Sequence, residues 1–394
     1  MSEPLKVAWF TYFPIEWLDG LPPELATLPR MHPATWQRVL FDELQKEQGL
    51  RLHIVVLRKQ FPRSMSFERG NATFHCVKVP GGLRAPSFFW LDTWCVSRVL
   101  KRVCPDVVHA WGTENGAGLV GSRLKYPCVL TMQGILNWIL ELGLGHAYLR
   151  FVARLEKRTL RGLRHVTAES SFAQGYLRER FPDLQLRQIE HAPSWGFHHA
   201  PRRPQLKPLR LITVGTLGHA KGTDVLLQAL DPLLRDWDFR LTLIGGAPAQ
   251  VLEDYRRSVS AELWSRIDFK NHLTSAQVAE NLSESVVMIY PTRADNSPNA
   301  VKEAIAAGVP VVASAIGGIV DYVIPGENGF LFNAGDVSGC REALLSVLRH
   351  PSLGQGVVPA AALARGRDYL SPATMAAKFL QVYQELAGRS SSHC

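Results

Sequence analysis

The sequence has little with which to cross a membrane, hold a metal or staple itself. No stretch approaches the roughly 18 consecutive apolar residues that span a bilayer. Its six cysteines, Cys76, Cys95, Cys104, Cys128, Cys340 and Cys394, are scattered, with no Cys-x-x-Cys pair and no Cys/His cluster at ligand spacing. That excludes a zinc module and a disulfide scaffold, and the thiols read as reduced core filler in a cytoplasmic protein. There is no Walker loop and no Gly-x-Gly-x-x-Gly. Leu5–Phe13 is strand-like and lacks a cleavage signature, so a secretory leader is not expected. Acids are outnumbered, 35 against 44 basic residues, for a net charge of +9. That excess favours anionic partners: nucleotide phosphates, acidic lipids or nucleic acid, among which charge does not choose.

What is present is a globular composition, 46% hydrophobic and 20% charged over 394 residues, enough for two or three domains. Short apolar runs alternate with helical patterns. Leu5–Phe13, Leu52–Leu57, Ala72–Val79, Val107–Ala110 and Cys128–Met132 read as strands, with helices at Thr35–Gln48 and Phe88–Val103. Strand–helix–strand order means a parallel sheet. Gly20–Pro33 is a long loop rich in proline. A second alternation starts at Leu209, with strands Leu209–Val214, Arg240–Ile244 and Ile267–Lys270, and helices Gly222–Arg235 and Ser275–Leu282. Residues 201–208, PRRPQLKP, read as the linker. The expected domains are therefore 1–200 and 209–371, followed by a helix near Pro372–Leu386 and a loose tail, Gly388–Cys394.

The most informative stretch is 286–318, VVMIYPTRADNSPNAVKEAIAAGVPVVASAIGG. Strand Val286–Tyr290 runs into a loop. Ser297 stands where an N-cap would and Pro298 where a first helical residue would. Asn299–Ala307 is a short helix, Gly308 ends it, and Val309–Ala313 is a strand. The helix thus starts at the carboxyl edge of a parallel sheet, where open α/β sheets bind ligands. Its free N–H groups and dipole suit a phosphate. Asp295 and Glu303 frame that start; the alternative is a first-turn acid and a solvated Glu.

Acid-x7-Glu with Pro-Asn between, then Ala-x-Ala-x-Gly-x-Pro-Val-Val-Ala-Ser and Gly-Gly, resembles the retaining glycosyltransferases of family four. The resemblance implies a GT-B fold, an α/β chain of two Rossmann-like domains facing a central cleft. The N-terminal domain would take the acceptor and the C-terminal domain the nucleotide-sugar donor, with the last helix crossing back to the first domain. It implies that Asp295 meets hydroxyls of the donor sugar and Glu303 the ribose. The family usually has Glu at the first position.

Gly215–Gly222 reads GTLGHAKG at a strand end, a glycine-rich turn with backbone donors and a cation. The resemblance gives Lys221 a diphosphate role; Thr216 stands where relatives often carry Arg, leaving Lys221, the helix dipole and Arg293 to neutralise phosphate. Gly245 and Gly246 suit close approach to a base or ribose. Ser297, Pro298, Asn299 and Ala300 complete the donor set. In the first half, VVHAWGTENGAG places His109 and Glu114 near a strand end, to serve the acceptor or to be a buried His and a capping Glu. Gln133 stands where relatives carry His, and Gln exchanges no proton near neutral pH. His32 lies where relatives have a Gly-Gly loop, and is assigned to the acceptor side. Arg150, Arg154, Lys157, Arg161 and Arg164 recur at helical steps, either a solvated face or one that rests on an anionic membrane.

The resemblance thus implies a metal-independent, cofactor-free hexosyltransferase; the cysteines and the basic helix place it in the cytoplasm or peripherally at the inner membrane face. Its donor would be a UDP or GDP sugar, and its acceptor a glycan, polysaccharide or lipid-linked hydroxyl, with no nucleic acid bound. The catalytic set would be Asp295, Glu303, Lys221 and His109. Two other readings stand beside it: an epimerase or phosphorylase of the same architecture, and a non-catalytic carbohydrate or nucleic-acid binder.

Overall fold

The computed structural model describes residues 3–32 and 34–388. The expected tail beyond Gly388, with Cys394, and the last residue of the Gly20–Pro33 loop lie outside the described residues. The chain divides into two compact units, one of residues 1–190 with 372–394 and one of residues 191–371.

Among the described residues the first unit holds eight strands: β1 Leu5–Phe10, β2 Leu50–Arg58, β3 Met65–Arg69, β4 Ala72–Lys78, β5 Val107–Trp111, β6 Cys128–Thr131, β7 His165–Ala168 and β8 Gln185–Gln188. They lie in the order β3-β4-β2-β1-β5-β6-β7-β8. All pair in parallel except β3, which turns back antiparallel on β4. The central strands are buried on both faces, hence their unbroken apolar runs. The final helix, Pro372–Gly388, packs on β1, β5 and the Thr35–Leu44 helix of this unit. Tyr383 is its anchor: its hydroxyl accepts from Trp9 Nε1 at 3.1 Å and lies 2.6 Å from His109 Nδ1.

The second unit holds β9 Leu209–Val214, β10 Phe239–Ile244, β11 Ile267–Lys270, β12 Val287–Tyr290, β13 Val311–Ser314 and β14 Gly329–Phe332. Their order is β11-β10-β9-β12-β13-β14, parallel throughout. Numbered within the unit, that is 3-2-1-4-5-6, the doubly wound order. The chain reverses its direction of winding between β9 and β12. Connections leave β9 and β12 for opposite sides there, so a crevice opens beyond their carboxyl ends.

Three expectations need correction. Residues 201–208 lie within the second unit and are bound to it. The half-buried Arg202 donates through its guanidinium to the carbonyls of Leu282, Ser283, Ser285 and Gly356 at 2.5–3.0 Å, and Arg203 N–H donates to the Ser283 carbonyl. Proline and charge looked like a linker because the acceptors sit some 80 residues or more away in sequence. The helix expected over Gly222–Arg235 spans Thr223–Leu230, then tightens to a 3-10 turn at Asp231–Arg235, since Pro232 has no N–H to continue it. Finally, Cys76, Cys95, Cys128 and Cys340 are buried free thiols, but Cys104 does not belong to that free set.

Candidate functional site

The carboxyl ends of β9, β10 and β12 gather the donor-side candidates. Gly215 follows β9 with its N–H donating to the Ile244 carbonyl at 2.8 Å, and Gly245 follows β10 with its N–H on Lys270. The two turns touch: a Cβ on Gly245 would collide with the Gly215 carbonyl. Thr216 and Gly246 are exposed beside them. A small pocket lined by Gly215, Thr216, Lys221, Tyr290 and Pro291 lies at the strand-order reversal.

Two of the expected residues, 74 positions apart, meet there. Lys221 Nζ donates to Asp295 Oδ2 at 2.5 Å and to Tyr290 Oη at 3.3 Å, while Tyr290 Oη donates to the same Oδ2 at 2.8 Å. Tyr290 ends β12 and was not singled out in the sequence; its signal is a polar-tipped aromatic at a strand's carboxyl end. Burial, then the Asp295 and Glu303 charges, hold its phenol well above the ordinary range. An ammonium carries three protons, so one remains on Lys221 for a further acceptor. Asp295 Oδ1 takes no hydrogen bond from the described residues. The Asp295 backbone is cradled by the turn after β13. Gly317 has φ +57°, its absent Cβ leaves room for the Asp295 carbonyl, and Gly318 N–H donates to Asn296 O.

The helix here spans Asn299–Ala306, with Pro298 in extended conformation as its N-cap and Ser297 one residue before. The cap thus falls one residue later than expected. Proline accepts the Lys302 N–H through its carbonyl but has no side chain to cap with, which leaves the first N–H groups, Asn299 and Ala300 among them, without a side-chain partner. Glu303 projects from the first turns, half-buried, and receives neither a hydrogen bond nor an ion pair from the described residues. Burial pushes its carboxyl up to about 8, against a smaller lowering by the Lys302 charge. Arg293, expected to assist with phosphate, is engaged elsewhere: it grips Asp224 with two bonds of 2.7 Å and donates to the His219 carbonyl.

The first unit brings Glu114 and Gln133 together where β5 and β6 end. Both carboxamide and carboxylate oxygens crowd the space where Gly112 has no Cβ. Glu114 Oε1 accepts the Gly134 N–H at 2.7 Å, and burial raises its carboxyl. Behind it the fully buried Glu156 accepts from Thr113, the Leu136 and Asn137 N–H groups and the Asn137 amide, capping the helix Leu136–Glu141 from outside it. Reading the 149–164 stretch for its basic face overlooked this acid.

His109 does not join them. It lies in mid-strand, opposite Trp9 and Val129, with no exposed surface. Nδ1 meets Tyr383 Oη and Nε2 meets Thr131 Oγ1, each at 2.6 Å, and the ring stacks on Trp111. The expectation that it reaches an acceptor is therefore corrected: it is a satisfied core histidine. His32 is exposed before the Thr35–Leu44 helix, its Nδ1 accepting the Ala34 N–H at 3.1 Å. Among the described residues no group of three or more His, Cys, Asp or Glu side chains could hold a metal ion.

Residues 208–350 match the family model "Glycosyl transferases group 1", and residues 38–189 match "Glycosyl transferase 4-like domain". The glycogen synthase of Mycobacterium tuberculosis is 29% identical over 293 residues, covering 71% of this chain and 68% of that protein. The phosphatidyl-myo-inositol mannosyltransferase of Mycobacterium leprae is 32% identical over 169 residues, 42% of this chain and 44% of its own. Among solved structures, sucrose-phosphate synthase from Thermosynechococcus elongatus superposes with a TM-score of 0.78 at 16% identity, covering 98% of this chain and all of its own. Anabaena HepE in complex with UDP and glucose gives 0.67 at 15% identity, over 97% and 100%.

Proposed function

The chain belongs to the family-four glycosyltransferases of GT-B fold and transfers a sugar from a nucleotide sugar, and from that premise we propose how its residues divide the work. The donor diphosphate lies at the start of the Asn299–Ala306 helix, where unpaired N–H groups and the dipole receive an anion. Lys221 turns its remaining proton to a phosphate oxygen. Asp295 Oδ1 accepts from a hydroxyl of the sugar, and Glu303 accepts from the ribose. The turns at Gly215–Thr216 and Gly245–Gly246 give the nucleotide backbone-only walls. A uracil base is the first to test, because HepE, of the same fold, is described with UDP and glucose.

Charge develops on the leaving diphosphate, so Lys221 and the helix start act mainly in the transition state. The family resemblance implies retention of configuration, and we assign the departing phosphate to take the acceptor proton on the same face, since Lys221 and Tyr290 both hold Asp295 through Oδ2. Glu114 and Gln133 are assigned to hydroxyls of a glycan acceptor.

The observation that carries the donor assignment is Glu303, a half-buried carboxyl that no described residue satisfies, on the first turns of a helix at the switch point. Turnover of UDP and GDP sugars, with and without acceptor glycans, tests it. Assayed above pH 8, where the carboxyl is ionised, Glu303→Ala is expected to lose a hydrogen bond to a charged group, roughly 1.5–3 kcal/mol, or about tenfold to a hundredfold in kcat/KM. Wild-type efficiency in that variant overturns the ribose role. Sugar epimerised in the absence of acceptor, or donor bound without turnover, would replace transfer by the other readings.

A further inference from the structure

One face of the first unit carries large aromatic side chains that its core does not use. Leu83, Phe88, Trp90 and Trp94 are each more than half exposed. Phe88 is turned outward by the backbone: it and Phe89 both have positive φ, 50° and 59°, so Phe89 enters the core and Phe88 leaves it. Such a pair of non-glycine residues in the left-handed region is costly and persists where the surroundings impose it. Trp90, Trp94 and Arg98 follow at i, i+4 and i+8 on the helix Trp90–Val103, and Arg98 covers the Trp94 ring at 4.8 Å.

These rings continue onto the helix Ala147–Gly162. Phe88 meets Phe151 at 5.7 Å between centroids, and Tyr148 lies beyond it. Arg123 packs beside the first of these rings, donating to the Phe88 carbonyl at 2.8 Å while its guanidinium lies 4.2 Å from the Trp90 ring centroid. Burial, and after it the Arg158 charge on the second helix, lower the Arg123 guanidinium from its ordinary value. Arg154 and Arg158 fall on the Phe151 face by helical spacing and are exposed. Residues 84–102 and 147–164 contain only two acids, Asp92 and Glu156, and both are buried and bonded inward. The exposed charge of this face is therefore of one sign.

We propose that this face seats the protein on an anionic lipid surface, with Phe88, Trp90 and Trp94 entering the interfacial zone and the arginines meeting lipid phosphates. Aromatic rings with a polar edge favour the headgroup level, and basic side chains around them gain from a negative leaflet. A second copy of the chain is a poor occupant, because a two-fold contact would set like charges opposite one another. Nucleic acid would meet the cations, but Leu83 and Phe88, standing out from the surface, suit acyl chains better than phosphates. The proposal does not rest on the sugar-transfer reading.

Vesicle co-sedimentation of the full chain tests it, with phosphatidylcholine alone or mixed with phosphatidylglycerol. The expected result is partition onto the mixed vesicles only, weakened by salt. Partition should fall roughly tenfold or more in Arg154→Glu/Arg158→Glu, where each substitution removes a cation from the lipid phosphates and sets an anion in its place. It should fall also in Trp90→Ser/Trp94→Ser. Thermal stability of both variants should match the parent, since all four residues are exposed. No preference for phosphatidylglycerol overturns the proposal, as does parental binding by both variants. So does concentration-dependent self-association, or RNA binding that excludes vesicles. A nucleotide-induced thermal shift in the same samples reports separately on the donor site.

Discussion

A carboxyl group that no described residue partners, half-buried on the Asn299–Ala306 helix, weakens the fold once the pH passes its ordinary value. Between its ordinary value of 4.5 and the raised value of about 8, Glu303 is protonated in the fold and ionised in the unfolded chain. The unfolded state then binds fewer protons, so stability falls as pH rises through that window. Glu303→Gln removes the penalty, worth up to about 3 kcal/mol at pH 7. The variant is therefore expected to melt higher than the parent at pH 7–8 and to flatten its pH dependence. Its nucleotide diphosphate affinity should fall, because an amide does not become the anion that ribose hydroxyls favour. Paired thermal melts and calorimetry check both signs; a lower melting temperature at pH 8 would remove the argument. Glu303 and Asp295 could be picked from spacing around Pro-Asn because helical geometry is local. His109 could not be placed: that it lies in a strand is readable, but its depth, and the tyrosine that satisfies it 274 residues later, are not.

The same distance governs the elements. The Pro372–Gly388 helix completes the first unit through Tyr383, which links Trp9 on β1 and His109 on β5. From His109 the contacts run on to Thr131 and Thr167 on β6 and β7. Tyr383→Phe deletes one oxygen and leaves two buried ring nitrogens without it, about 1–3 kcal/mol for each group stranded. Chemical denaturation should show a loss of about 2–6 kcal/mol for the two groups together, with near-native secondary structure. Arg202→Ala is the counterpart in the second unit: it strands four carbonyls that one guanidinium satisfies. A loss of at least about 2 kcal/mol is expected, whereas a true linker residue would cost almost nothing. Strands were legible because parallel, doubly buried β-structure is written as apolar runs. The β3 edge hairpin, the tightening at Pro232 and the anchoring of residues 201–208 were less so, since each depends on what the segment meets.

For the molecule as a whole, the strand order supplies what spacing alone does not. Lys221 and Asp295 come together because β9 and β12 are neighbours across the reversal point, and no local pattern states that adjacency. The two units have separate sheets, one closed by the chain's last helix and the other built entirely from residues 191–371. A ligand held by the second sheet's carboxyl edge and a lesion in the first sheet's core should therefore leave different footprints in hydrogen exchange. Saturating nucleotide diphosphate is expected to slow amides over Gly215–Thr223 and Asp295–Glu303, with stabilisation of about 2.7 kcal/mol at a hundred times Kd. Tyr383→Phe should instead speed exchange in β1, β5 and the Pro372–Gly388 helix and leave β9 and β12 at parental rates. If nucleotide protected the β5–β6 edge around Glu114 and left Gly215–Thr223 unchanged, the donor would belong to the first unit, and the division of labour assigned to the two sheets would be reversed.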